Sequence, residues 1–375
     1  LRLRGEDVLH ICGSDEHGVP ITLAAEKEGV SPQVIVDRYH ELNKNTFEDF
    51  GIEFDYYGRT SSATHHKTAQ EFFLTLDQKG VFKKKSEQQL FDESANMFLP
   101  DRYVKGTCPH CSFDQAYGDQ CESCGTSLSP SELIHPISAI TGSTPILKET
   151  EHWFLPLGEF EPFLTSWMDT HKDWKAHVQG QIQSWITQGL GDRAVTRDLA
   201  WGVPVPLENA DGKVLYVWFD APIGYISATM EWAELQGDPS KWKTYWQDKQ
   251  TRLVHFIGKD NIVFHCIIFP SMLHAHGEYV LADQVPANEF LNLEGRKLST
   301  SKGWAIWLHE LKNEIDPDLI RYYLACTLPE NKDSDFSWSD FQTRVNNDLA
   351  DVLGNFAFRT LSFIHRFENG VIPTP

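Results

Sequence analysis

Three short stretches carry residue types able to do chemistry. The first is "CPHCSFDQAYGDQCESCG", which spaces Cys108, Cys111, Cys121 and Cys124 as C-x2-C-x9-C-x2-C. Two residues between thiols let both thiolates of one turn reach the same ion, and two such turns make a tetrahedral S4 set that suits zinc. Four equivalent ligands leave no open position for water, so this predicts a structural Zn2+, one per chain. The second is "GSDEHG", with Asp15, Glu16 and His17 after an apolar run. A carboxylate at the carboxyl end of a parallel strand could hold a substrate ammonium group. Asp15 could equally cap the next helix, and His17 could be a packed structural histidine. The third is "GRKLSTSKG", with Lys297 and Lys302 as cations, Ser299, Thr300 and Ser301 as hydrogen-bond donors, and Gly295 and Gly303 as hinges. It lacks P-loop spacing, but its chemistry suits a polyphosphate; the alternative is a solvated turn.

Two further segments could line a pocket. "YVWFDAPIGYIS" predicts an aromatic-rich strand entering a Pro-Gly turn, with Trp218, Ala221, Pro222 and Tyr225 around a small apolar floor. "FIGKDNIVFH" predicts a strand, then Gly258, Lys259 and Asp260, then a helix with Asn261 and His265 four apart on one face. Glycine permits close backbone approach, Asp260 could accept from ribose hydroxyls, and a helix start favours anions. Core packing is the alternative for each.

The elements that must position these residues alternate between strand and helix. Residues 7–18 predict a strand ending in a turn. "SPQVIVDRYHELNKNTFEDFG" predicts a helix with Ser31 as cap, Pro32 in its first turn and Gly51 at its end. Another helix is expected over 65–80. Such alternation favours a parallel sheet. Residues 81–150 are loop-rich and hold the cysteines, so the simplest organisation is one α/β domain interrupted by an inserted module. After Asp316-Pro317 the chain is expected to be helical to its end.

Bulk properties limit the function classes. The 375 residues carry 53 acidic and 33 basic side chains, a formal net charge of −20. That balance repels polyanions, so nucleic acid would have to meet local basic patches. No run of 18 apolar residues suggests a membrane span. Seven cysteines, four of them in one window, point to metal binding in a reducing compartment rather than a disulfide framework. With no visible signal peptide, the expected location is the cytoplasm.

Taken in order, "GSDEHG", the knuckle "C-P-x-C…Y-G-D-x-C-E-x-C-G", "RDLAWGVPVP", "YVWFDAPIGY", "HFIGKD", the K-L-S-T-S loop and "IRYYL" resemble the methionyl-tRNA synthetases among class I aminoacyl-tRNA synthetases. The resemblance spans essentially the whole chain. It implies a Rossmann-like parallel-sheet catalytic domain split by a zinc-knuckle insertion and followed by the start of an α-helical bundle. The implied boundaries are 1–81 for the first catalytic half and 82–198 for the insertion, with its knuckle at 106–126. The second catalytic half is 199–312, its signature loop at 297–301, and the stem-contact region and bundle start are 313–375.

The resemblance also implies roles. Asp15 would hold the methionine amino group, and Arg197 would support that carboxylate. Trp218, Ala221, Pro222, Tyr225 and His265 would form the methionine pocket, with Asn261 where several members carry Ile. Gly258, Lys259 and Asp260 would face ATP, with Lys297, Ser299, Thr300, Ser301 and Lys302 over its phosphates. Asn355 and Arg359 would read the anticodon of tRNA(Met). The implied activity is a ligase that joins methionine to tRNA through methionyl-adenylate, using ATP with Mg2+. Two departures stand out. Thr300 replaces the usual lysine, so Lys297 or Lys302 is expected to carry that load. The HIGH signature is absent, so the chain alone is expected to have little activity. A zinc-knuckle RNA-binding module without catalysis, a non-catalytic paralogue or another class I synthetase are the rival readings.

Overall fold

The computed structural model describes residues 1–118, 121, 123, 124, 126, 128–300 and 303–372. Ser301 and Lys302 therefore lie outside the described residues. The chain divides into two compact units. The first comprises Leu1–Lys44, Phe54–His255 and Asp260–Pro286, and the second Asn45–Glu53, Phe256–Lys259 and Ala287–Pro375.

The first strand of the first unit is β1, Ile11–Ser14, followed by helices α1, Val19–Glu28, and α2, Pro32–Asp49, whose residues from Asn45 on are counted with the second unit. Pro32 stands at the start of α2, as its fixed φ favours, and Gly51 follows at φ 63°. Strand β2, Tyr56–Arg59, lies parallel to β1 in the register Ile11 to Tyr56 through Ser14 to Arg59. Helix α3, Ala63–Gln78, is capped by the Ser62 hydroxyl, which accepts from the His65 amide at 3.1 Å. A second parallel pair joins Leu253–Val254 to Ala282–Gln284. Two glycines let the layers close up. A Cβ on Gly13 would sit 2.7 Å from the Gly58 carbonyl oxygen, and one on Gly58 would sit 2.7 Å from the Ala228 Cβ. The helix Ile223–Leu235 packs on β1 and β2 by that route. Any side chain at Gly58 would force the layers apart, costing about 1–3 kcal/mol.

The cysteine-bearing stretch is antiparallel, in contrast to the parallel pairs. Strand β3, Lys83–Asp92, pairs with Ile146–Pro156, with Met97–Phe98 and Asp192–Ala194 at the edges. Val104–Thr107 lies between Ala116–Tyr117 and Ile134–Ser138. Cys108 and Cys121 belong to a buried cluster with Leu99, Tyr103, Val104 and Val19 of α1. The inserted module thus shares its core with the helix that follows the Asp15 turn.

In the second unit Leu291–Leu293 lies between antiparallel Arg296–Lys297 and parallel Ser334–Phe336. Its core gathers Phe50, Leu293, Leu311, Ile320, Tyr323, Phe336 and Phe341. Helix Pro317–Cys326 is capped by Asp316, whose carboxylate accepts from the Asp318 amide at 2.9 Å. Trp338–Arg344, Val345–Gly354 and Asn355–Phe367 complete the chain's helical tail.

Three expectations are corrected. "YVWFDAPIGYIS" is helical: Val217–Asp220 makes one turn and Ile223–Leu235 follows. A short apolar run has the same composition in a buried helix as in a strand. The tail is not wholly helical, because Ser334–Phe336 forms a strand, a segment too short to show an alternating pattern. The strand over 7–18 is shorter than expected, and it is only partly buried because a single neighbour pairs with it.

Candidate active site and cysteine cluster

Asp15 does not cap α1. The helix begins at Val19, its N-cap is Gly18 at φ 100°, and Pro20 occupies its first turn. The turn between β1 and α1 is instead held by the side chains on either side of it. The Glu16 amide donates to the Thr60 hydroxyl at 2.8 Å. The Glu16 carboxylate, 3% exposed, accepts from Arg59 Nε at 2.8 Å and Ser61 Oγ at 2.5 Å. The indole of Trp201 donates to the Glu16 carbonyl at 2.7 Å. His17 Nδ1 meets Asp220 Oδ2 at 2.6 Å, both side chains buried. Glu16 and His17 are thereby consumed in holding the backbone, which turns Asp15 alone outward.

Asp15 faces a cavity of about 270 Å³ shared with Arg197, Trp201, Tyr216 and Trp218. Its side chain is exposed to that space, with protein packed closely behind it. Loss of water, then the charge of Asp220, raises its pKa to about 7, against the opposing influence of His17. A carboxylate in this condition is stabilised most by a cation delivered into the cavity. Arg197 is not paired with it, contrary to the expectation that it supports Asp15. The guanidinium lies 4.0 Å over the Tyr216 ring and donates to the Thr196 carbonyl at 3.0 Å. Cation–π attraction and that carbonyl hold it on the cavity wall.

Trp218 stacks flat on Phe264, centroids 3.9 Å apart, and separates this cavity from a smaller apolar one of about 150 Å³. Ala221 and Pro222 form the joint between the two short helices. Behind it the Tyr225 hydroxyl meets His265 Nε2 at 3.0 Å, and His265 Nδ1 donates to the Asn261 carbonyl at 3.1 Å. This second bond puts the ring proton on Nδ1, so Nε2 accepts from Tyr225. Burial keeps His265 neutral by lowering its pKa, and pushes Tyr225 up to about 12. The Asn261 side chain has no part in this pairing; its carbonyl does. Asp260 sits in the single 3-10 turn before it, Lys259–Asn261.

In the second unit Lys259 is committed to carboxylates. Its ammonium bonds Glu289 at 2.5 Å and Asp333 at 2.7 Å, and Asp333 also accepts from the Phe290 amide at 2.9 Å. Gly258 pairs with Asn288 in a parallel ladder. Among the described residues of the basic loop, Ser299 and Trp304 exchange backbone bonds of 2.9 Å, and Gly303 at φ 64° donates to the Thr300 carbonyl at 3.1 Å. Lys297 is exposed, its ammonium 5.4 Å from the Phe290 centroid, while Arg296 lies over Trp304 at 4.0 Å. Asn355 and Arg359 are exposed on one helix, the Asn355 amide donating to the Asp351 carbonyl at 2.7 Å.

The four cysteine sulfurs lie within 4.8 Å of one another. Cys108 to Cys124 is 3.9 Å and Cys111 to Cys121 is 3.5 Å. A tetrahedral zinc with bonds near 2.3 Å needs sulfurs about 3.8 Å apart, so the set fits that ion. The Cys108 amide donates to the Phe113 carbonyl and the Cys121 amide to the Thr126 carbonyl, closing two similar turns. The Thr126 hydroxyl and amide lower the Cys124 thiol, while hydrogen bonds among the sulfurs raise Cys111, so the thiols share protons as long as no cation takes their place.

Sequence reasoning missed His65 and Asp220 as site-building residues. The signal available was thin: a histidine pair, His65–His66, in a capped helix, and one acid within an aromatic run.

A parallel α/β unit with a carboxylate-bearing turn after its first strand, an antiparallel four-cysteine insertion and a downstream basic loop define a class I synthetase fold. The family profile described as tRNA synthetases class I (M) matches residues 1–361, and the chain belongs to that family. It is 60% identical to the methionine–tRNA ligase of Salinibacter ruber over 384 residues, covering 99% of this chain and 54% of that protein. It is also 60% identical to the methionine–tRNA ligase of Christiangramia forsetii over 379 residues, covering 100% of this chain and 55% of that protein. The chain thus spans about half the length of the curated relatives it matches. Among solved structures, it resembles Mycobacterium tuberculosis methionyl-tRNA synthetase in complex with methionyl-adenylate, with a TM-score of 0.76 and 25% identity. That match covers 100% of this chain and 67% of that one.

Proposed function

We propose that this chain is the catalytic part of a methionine–tRNA ligase, which activates methionine with ATP and transfers it to tRNA(Met). The observation that carries the reading is the Asp15 carboxylate, freed by the fixation of Glu16 and His17 and facing a cavity walled by Trp218. In this reading the methionine ammonium meets Asp15 and the thioether lies among Trp218, Ala221, Pro222, Tyr225 and His265. The methionine carboxylate attacks the α-phosphorus of ATP and pyrophosphate leaves. This in-line displacement depends on positioning and on cations near the developing charge. Lys297, Lys302 and the hydroxyls of Ser299, Thr300 and Ser301 are the proposed phosphate contacts, with Mg2+ accompanying ATP. Asp260 is the proposed ribose acceptor. Lys259 is proposed as a brace, given its two carboxylate partners. The terminal adenosine hydroxyl of the tRNA then attacks the acyl carbon of the adenylate, the acyl–phosphate bond breaks and AMP leaves, and Asn355 and Arg359 are proposed anticodon contacts. Cys108, Cys111, Cys121 and Cys124 hold a structural zinc, and thiolates kept for a metal favour the cytoplasm.

Selectivity for methionine is a matter of shape, since one methylene in an apolar pocket discriminates by about 1–3 kcal/mol. The test is ATP–pyrophosphate exchange by the full-length protein. Exchange that depends on methionine, with methionine also raising the melting temperature, supports the reading. Exchange driven by cysteine or leucine, or none with any amino acid, overturns it. Replacing Lys297 or Lys302 by Ala is expected to slow exchange strongly; near-normal exchange in both variants refutes their proposed role.

A further inference from the structure

The proposed reaction uses Asp15 but leaves a second acid unexplained. Asp220 is fully buried, and one of its oxygens receives two histidines: His17 Nδ1 at 2.6 Å and His65 Nε2 at 3.2 Å. His65 is fixed in turn from its other nitrogen, where Nδ1 lies 3.0 Å from the Ser227 hydroxyl. The arrangement chooses tautomers. With Nε2–H donating to Asp220, His65 Nδ1 is an acceptor for the single Ser227 proton, which the Gly224 carbonyl at 3.2 Å also competes for, and His17 donates through Nδ1–H. Asp220 Oδ1 and His17 Nε2 are buried without a hydrogen-bond partner among the described residues. Apolar replacements of this volume would leave no such unsatisfied atoms, so a structural role alone is a costly explanation.

The cluster joins distant parts of the first unit. His17 belongs to the Asp15 turn, His65 to α3, and Asp220 and Ser227 to the helical pair that carries Trp218 and Tyr225. We propose that the Asp220–His17–His65 cluster is a positioning device for the ammonium subsite, locking the Asp15 turn and setting a fixed negative charge behind it. The inference rests on the reading of Asp15 as the ammonium partner. Two carboxylates near one another, Asp220 buried and Asp15 at the cavity face, favour a cation on the solvent side of them, and the low dielectric around Asp220 strengthens that preference. The hydrogen bonds from His17 and His65 hold Asp220 below the ordinary carboxylate range although burial acts in the other direction first. Asp220 therefore stays ionised, and its charge contributes to the elevation of Asp15. The titratable groups around Asp15 are Asp220, its neighbours Glu16 and His17, and Tyr225; Arg102 and Arg197 also line the cavity.

The experiment is methionine-dependent ATP–pyrophosphate exchange by the full-length protein carrying Asp220→Asn, which keeps shape and removes the charge. The expected result is a methionine KM raised about tenfold or more with kcat within about twofold, the pattern of lost ground-state binding. The acid limb of kcat/KM is expected to move to lower pH, because Asp15 loses a repelling neighbour. An unchanged methionine KM overturns the proposal, as does a raised KM with an unmoved acid limb, which is what a merely structural lesion produces. Should Asp220→Asn fail to fold, Ser227→Ala decides: it frees His65 Nδ1 at the far edge of the cluster. A methionine KM about threefold higher supports the proposal and an unchanged one overturns it. If the unmodified protein shows no methionine-dependent exchange, the reading of the site fails before this inference is reached.

Discussion

The cysteine module and the Asp15 turn both crowd ionisable side chains into a small volume, but they compensate charge in opposite ways. The module places four sulfurs 3.5–3.9 Å apart across the measured pairs, spacing that suits a dication. The turn uses side chains alone: Arg59 and Ser61 on Glu16, and His17 and His65 on Asp220. An external ion can be removed without altering a residue, and the thiolates then repel or protonate. The turn's compensation is covalently part of the chain, which frees one carboxylate, Asp15, for a ligand. A structural site spends all its charges on one another, whereas a binding site keeps one back.

Zinc removal breaks the comparison most severely. Structural zinc in small domains contributes on the order of 10 kcal/mol to folding. Chelation, or Cys121→Ser, is expected to release zinc and expose the 99–133 segment to protease. Because Val19 shares that buried cluster, methionine affinity is expected to fall as well. A stripped protein that keeps its protease pattern would show that the core, not the ion, holds the module. Next in size is Arg59→Ala. It leaves the nearly buried Glu16 carboxylate with Ser61 and the more distant His40 as compensation. The expected cost is about 2–4 kcal/mol, read as a lower midpoint in urea, with zinc content unchanged. Loss of zinc in that variant would mean that the two regions are not independently compensated. The smallest effect is expected for Trp201→Phe, which removes the indole bond to the Glu16 carbonyl and trims a ring on the cavity wall. About 1 kcal/mol of stability should be lost, and a methionine KM more than tenfold higher would show that this bond sets the direction of Asp15.

Local features of the fold and the site are legible in the order of residues. The C-x2-C spacing predicts the cluster because two residues are enough for one turn to bring its own thiols together. Pro32 and Asp316-Pro317 mark true helix starts, since a cap acts within three residues of itself. The helical form of "VWFDAPIGY" is not legible, as a short, almost wholly apolar run lacks the polar positions whose period separates helix from strand. Lys259 illustrates the same difficulty in a charged residue. Its position in "GKD" suggests a phosphate contact, while its two carboxylate partners, Glu289 and Asp333, are 30 and 74 residues away.

The chain itself determined what short-range stereochemistry controls: four thiols on two turns, capped helices, a basic hydroxyl-rich loop and a carboxylate after the first strand. Tertiary structure alone decided which of Asp15, Glu16 and His17 is kept for a ligand. That choice depends on Asp220, 203 residues from His17, on His65, 155 residues from Asp220, and on Arg59, 43 residues from Glu16. A hydrogen bond acts over about 3 Å, so no local pattern can encode a partner that only folding brings within reach.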